Sequence, residues 1–337
     1  MTAFHLFYAF CAGAFGAMMG ASGAFILTGC FCAIGMAALL GGAEGAFIHS
    51  CVTFGPYLLP AVTFAGGAAA AHYARLRGYV PYGEGRDIQQ ALIALGKPDV
   101  VLFGGLIGMI GYAMSTGMGL LGLGRLTDTS ALSITLIALG LKLLCDHTLM
   151  GKADGLPRYH PDAPCWQATL TRTFDKTLYG ALIAGAAACC VQEVLSSENA
   201  LFAQYGIFLP FGISCVVLLL TLGGTKAPTT HHITLCTAYA MAAGGSLGWG
   251  ILAGVLATFA ADFLGRTFHM HGDAYVDPAA MAICTVTPLV QWLLPMTGLH
   301  QTQVLPFMLL GLWLAGAWVF QYRRKSFGHQ TFSRSAH

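Results

Sequence analysis

From residue 279 to residue 320 the chain runs without a single Asp, Glu, Lys or Arg. Residues 100–123, 131–141, 200–224 and 233–261 are equally bare of charge. Such runs match a hydrocarbon core of roughly 30 Å, which takes about 20 apolar residues to cross as a helix. Over the whole chain only 9% of residues are charged, against about 25% in soluble domains. That is too little charge to cover a water-facing surface. The sequence therefore specifies an all-α, multi-pass integral membrane protein whose first partner is the lipid bilayer. In lipid, every backbone polar group must find its partner within the protein, which favours helices.

The spans fall at roughly 4–20, 23–41, 59–74, 100–122, 131–147, 179–192, 206–223, 231–247, 249–265, 279–297 and 304–321. The count is eleven, or ten if the first two or the 231–265 pair merge. Lys and Arg in the connections set the orientation, because they concentrate on the cytoplasmic side. With the N-terminus outside, Arg75, Arg77, Arg86, Lys97, Lys152, Arg158, Arg172, Lys176, Lys226 and Arg266 are cytoplasmic, as is the tail with Arg323, Arg324, Lys325 and Arg334. Loops 42–58, 193–205 and 298–303 hold no Lys or Arg, and Arg125 is the one exception. The expected location is a plasma membrane of the bacterial inner-membrane type. The whole chain forms one membrane domain, with halves 1–147 and 179–321 joined by a cytoplasmic loop, 148–178. The end of that loop, WQATLTRTFDKTLYG, is expected to lie on the membrane surface as an amphipathic helix.

Several function classes are disfavoured. No G-x-x-x-x-G-K-[ST] motif follows a strand, so an ATP-driven engine within the chain is not expected. The 44 glycines suit close helix packing in lipid. The 11 cysteines sit mostly within apolar runs, where a thiol acts as a small apolar packer. The first apolar segment lacks the basic start of a cleavable signal peptide and is expected to be retained. A net charge of +2 gives no reason to expect a nucleic-acid partner.

Polar chemistry gathers in HMHGDAYVDPAA, residues 269–280. Residues 43–61 and 261–279 align without a gap, with Ala43/Ala261, Tyr57/Tyr275, Pro60/Pro278 and Ala61/Ala279 identical and Glu44/Asp262 both acidic. This pattern suggests an inverted-topology repeat, an arrangement many secondary transporters use to build a site near the membrane midplane. The candidate substrate- or ion-binding residues are Asp262, Asp273, Asp277 and Tyr275 on one mouth, and Glu44, His49 and Tyr57 on the other. His269 and His271 are candidate metal ligands, since imidazole suits several transition metals. Bland roles stand beside these: Asp277 as the N-cap of a helix opened by Pro278, Asp262 as the partner of Arg266, Lys142 and Asp146 as an i,i+4 pair, and His231 as an interfacial residue after a Thr230 cap.

The leading expectation is a secondary transporter, or a channel on the same plan, for a small polar solute or ion. Its site would be formed by loops 42–61 and 262–279 and coupled to a cation (proton, sodium or a divalent metal). No other cofactor is implied, and a homo-oligomer is compatible with the composition. The alternative is a membrane-embedded enzyme acting on a lipid or lipid-linked substrate through a His/Asp metal or acid–base centre. A non-catalytic membrane subunit is a third class.

Overall fold

The computed structural model describes residues 1–41, 44–153, 155–167 and 172–334, the side chains of Glu44 and of residues 324–334 excepted. Among these residues every regular element is helical and no strand occurs. The principal helices are α1 (Ala3–Met19), α2 (Ala21–Gly41), α3 (Thr63–Leu76), α4 (Pro98–Leu120), α5 (Thr129–Asp146), α6 (Thr173–Leu195), α7 (Leu209–Leu222), α8 (His231–Ala242), α9 (Leu247–Leu264), α10 (Pro278–Pro288) and α11 (Leu305–Arg334). Eight helical stretches among the described residues are long and apolar enough to cross a membrane, by length and composition. They are α2, α4, α5, α6, the Ala200–Leu222 stretch containing α7, α9 extended to His269, α10 extended to Met296, and the first part of α11. Helices α1, α3 and α8 are shorter.

Helix starts follow local chemistry. Asp128 accepts a hydrogen bond from Ala131 N at 2.7 Å and caps α5. Asp277 accepts from Ala279 N (3.1 Å) and Ala280 N (3.2 Å) and caps α10, whose first residue is Pro278. A side-chain oxygen there satisfies orphan N–H groups, and proline loses nothing at the first helical position. Thr230 precedes α8 without a side-chain cap bond.

Small residues allow close packing where no hydrophobic effect joins helices in lipid. Helix α1 packs on α3 and α4, and α6 packs on α8 and α9. A Cβ on Gly104 would lie 2.6 Å from Ala17 Cβ, and one on Gly254 would lie 2.5 Å from Ala184 Cβ. Helices α2 and α7 meet through matching turns. A Cβ on Gly29 would lie 2.5 Å from Cys215 Cβ, and one on Gly212 would lie 3.0 Å from Cys32 Cβ. The outer surface is apolar, with Leu120, Leu121, Leu182, Leu312 and Trp318 exposed.

Two chain segments are interrupted inside the bundle. A short helix, Glu44–Phe47, and a wider π turn, Ile48–Thr53, run back along α2 from its end. Residues 54–62 are non-helical, and α3 then completes the passage. Thr28 donates to Leu58 O in this break at 2.8 Å. At 1.5 Å rise per residue, Thr28 is about 10 Å into α2, so the break lies within the bundle rather than at its end. Ser130 accepts from Ala61 N at 3.1 Å. These two side chains supply the partners that a buried non-helical backbone requires. The second interruption is residues 225–230, which lead into α8; there Gln167 Nε2 donates to Thr229 O at 2.7 Å.

Three expectations need correction. The proposed surface helix is instead the start of α6, a continuous helix from Thr173; residues 168–171 lie outside the described residues. The start was hidden by Asp175 and Lys176, but Lys176 meets Asp262 at 2.5 Å, so its charge is compensated within the bundle. The span expected over 59–74 starts later, at Thr63, so Pro60 does not open it as Pro278 opens α10. Finally, residues 44–61, the described part of the first aligned segment, and residues 261–279 do not occupy matching positions. The former enters an interrupted helix, whereas the latter ends the long α9 and returns to α10. The tail residues Arg324, Lys325 and Arg334 have no described side chains.

Candidate functional site

A cavity of about 860 Å³ opens where α1 and α5 begin, lined there by Phe4, His5, Gly124 and Thr127. It reaches inward past His49, Phe54, Leu59 and Pro60 of the interrupted segment to Phe25, Phe211, His231, Asp277 and Ala280. A second cavity, of about 500 Å³, enters from the opposite end of the bundle, where α2 begins. It is lined by Ser22, Arg86, Gln89, Trp166, Gln167, Lys226 and Tyr275. Among the described residues, His231 and Asp277 alone line both.

Each of these two residues opens a helix. His231 is the first residue of α8, and its ring meets Phe25 (4.8 Å, edge-on) and Phe211 (6.1 Å). It is 6% exposed, and its Nδ1 has no hydrogen-bond partner. Asp277, equally buried, spends one interaction per carboxylate oxygen on the α10 backbone. Across the larger cavity Asp128 caps α5 and accepts from Tyr239 Oη at 2.7 Å. An aromatic wall connects the two ends. Tyr239 meets Phe208 (6.0 Å), Phe208 meets Phe54 (5.1 Å), Phe54 meets Phe211 (6.1 Å), and Phe211 meets Phe25 (5.9 Å).

The candidate residues divide between cavity and scaffold. His49 lines the larger cavity, buried against Phe54 and Tyr205, with Nδ1 unpartnered. Tyr57 stacks on Tyr8 at 5.6 Å behind that cavity's lining. Glu44 begins the short helix beyond α2, and its side chain is outside the described residues. Tyr275 lines the second cavity and packs edge-on to Phe64 (6.0 Å) and His269 (4.7 Å). Asp273 pairs with Arg75 at 2.5 Å and accepts from Gly83 N at 2.7 Å. Asp262 pairs with Lys176 at 2.5 Å and Arg266 at 3.2 Å.

The His-rich stretch itself is gripped by its backbone. Arg158 donates to Arg266 O (3.0 Å) and Thr267 O (2.7 Å). Fully buried Lys142 donates to Phe268 O and to His271 O. Arg86 donates to His269 O (3.2 Å) and Met270 O (3.1 Å). Three cations thus satisfy consecutive carbonyls at the negative end of α9, where positive charge is favoured. Gly272 turns the chain at φ 97° directly over Lys142, a conformation that suits glycine. Lys142 therefore serves carbonyls, while Asp146 lies 3.5 Å from His72 Nε2. Nearby, the Cys165 thiol is pushed up by burial and by the Asp262 carboxylate, so it stays protonated beside this network.

Among the described residues no group of three or more His, Cys, Asp or Glu is arranged to hold a metal ion. Among the described residues, His269 and His271 gain no third His, Cys, Asp or Glu ligand. The sequence reading missed Asp128 and Tyr239, although TDTSALS carries the same capping signal as VDPAAMA. It also assigned His231 to an interface.

No curated protein and no solved structure matches the chain. The model of the family of unknown function DUF7973 matches residues 1–161 and 184–308, most of the length, and the chain belongs to that family.

Proposed function

We propose that the protein is a secondary transporter moving a small solute through a central site where two opposed cavities meet. The observation that carries this reading is the pair His231 and Asp277, which lines both cavities from opposite ends of the bundle. Interrupted helices with their ends at depth are a recurrent way of building such sites. Three elements end there: the 54–62 break before α3, the start of α8, and the start of α10.

We infer an inverted repeat as part of this reading, in a register different from the 43–61/261–279 alignment. We pair α1–α5 with α6–α10. Each half runs helix, helix, interrupted entry with a shorter helix, helix, Asp-capped helix. The neighbours correspond: α1 on α3 and α4, and α6 on α8 and α9. The reciprocal Gly29–Cys215 and Gly212–Cys32 contacts are what a two-fold axis between α2 and α7 would produce. Asp128, Ala131 and Ile134 then match Asp277, Ala280 and Ile283. With α1, α3 and α8 counted, the passages number eleven, with the basic end cytoplasmic. The larger cavity then faces outward, Asp128 and Asp277 are symmetry mates, and Asp262 and Asp273 hold the scaffold.

Cysteine accessibility tests this without a known substrate. Ile283→Cys lies in the larger cavity and Leu218→Cys in the second. Sealed vesicles are treated with a membrane-impermeant maleimide, and labelled peptides are mapped by mass spectrometry. The thiol introduced by Ile283→Cys is expected to react from outside, and the one introduced by Leu218→Cys from the cytoplasmic side. Labelling of both from one side, or of neither from any side, overturns the two-mouth arrangement.

A further inference from the structure

We propose that the larger cavity binds a small organic ammonium ion carrying an apolar body; this names the substrate class of the transport site and rests on that assignment. Three observations favour a cation. Among the described residues the lining includes Asp128 and Asp277 but no Lys or Arg. Their charges outweigh the partial positive charge of the helix ends they cap, roughly half a unit each. The imidazoles of His49 and His231, 5% and 6% exposed, also line it. A neutral imidazole carries one bare ring nitrogen, which can accept an N–H bond from an ammonium group.

The remaining lining sets the rest of the ligand. Every ring of the continuous wall from Tyr239 to Phe25 lines the cavity. Aromatic faces attract cations and cover apolar groups. A bare inorganic ion would leave most of about 860 Å³ unfilled, and no cluster of ligands among the described residues would hold one. An anion would meet two carboxylates in a site of low dielectric, where like charges repel strongly.

The test compares three probes of one shape: 2-phenylethylammonium, 2-phenylethanol and 3-phenylpropanoate, titrated into full-length protein in detergent by calorimetry. The ammonium is expected to bind about tenfold or more tightly than the alcohol, a difference near 1.4 kcal/mol, and the carboxylate most weakly. Asp128→Asn retains an N-capping side chain, and is expected to reduce ammonium affinity about tenfold while leaving alcohol affinity unchanged. Equal or tighter binding of the carboxylate overturns the proposal. So does an ammonium preference that survives both Asp128→Asn and Asp277→Asn, or no binding of any probe. Binding is read without flux, so ammonium affinity with failed cysteine accessibility would condemn the transport route alone. Correct two-sided accessibility without ammonium preference would condemn the ligand class alone.

Discussion

The basic end of the bundle and the larger cavity contain the same kinds of polar residue in opposite conditions. At the basic end, Lys142, Arg86 and Arg158 are committed to carbonyls of residues 266–271, and Asp273 and Asp262 to Arg75 and Lys176. In the cavity, no Lys or Arg among the described residues shares the lining with Asp128 and Asp277, and the buried Nδ1 atoms of His49 and His231 lack partners. Paired charge at the basic end fixes the return of the chain from α9 to α10. Charge left partly unsatisfied is available to a ligand. Clustering of polar residues in the sequence therefore marks the scaffold here, and isolated acids at helix starts mark the site.

The largest expected effect lies on the scaffold side. Lys142→Met would keep the volume of a fully buried side chain but strand the carbonyls of Phe268 and His271. Buried acceptors left without donors cost about 1–3 kcal/mol each, so a loss of about 2–6 kcal/mol is expected in thermal or denaturant unfolding in detergent. The folded fraction should bind the ammonium probe with unchanged affinity. A mutant of normal stability and lost binding would reverse the division between the two regions.

Tyr239→Phe removes one hydrogen bond to the Asp128 carboxylate, made at 2.7 Å. Hydrogen bonds to charged groups contribute about 1.5–3 kcal/mol. Stability should fall within or somewhat below that range, since a cavity-lining carboxylate can recruit water. Asp277→Asn sharpens the contrast from the cavity side. Asparagine caps a helix about as well as aspartate, so unfolding should shift by less than about 0.5 kcal/mol. Uptake of the ammonium probe into proteoliposomes should fall about tenfold, the equivalent of 1.4 kcal/mol. A large loss of stability with intact uptake would make Asp277 a cap and nothing more.

The membrane class and most helix positions were legible because length and hydropathy are local properties. The Asp277 cap and Pro278 start were legible for the same reason, a four-residue signal with a definite geometry. The start of α6 was not, because Lys176 finds Asp262 eighty-six positions later in the chain. The break at 54–62 was hidden too: its partners Thr28 and Ser130 belong to other helices. Asp128 carried a readable cap signal, yet its place in a cavity depends on Tyr239 and the aromatic wall, which only packing assembles. The density of His and Asp in 269–280 drew attention to itself, but the basic residues that grip its backbone come from 86 and 142, with Arg158 holding residues 266 and 267 just before it.

The smallest expected effect makes the sharpest comparison, because it sets one acid of that stretch against another. Asp273 is 3% exposed and paired with Arg75, which is itself 31% exposed. The paired atoms are buried, but water reaches the rest of the guanidinium, so Arg75 keeps hydration when the pair is broken and the loss is held to about 1 kcal/mol. In Asp273→Asn the side-chain oxygen can still accept from Gly83 N, the 2.7 Å contact that ties loop 77–97 to the return of the chain. Stability should fall by about 1 kcal/mol or less, and ammonium uptake should stay within about twofold. Asp277, four residues further on, lines both cavities; Asp273 lines neither. If Asp273→Asn abolished uptake while Asp277→Asn spared it, the route would run through the basic end, and the acids paired there would be moving parts rather than fasteners.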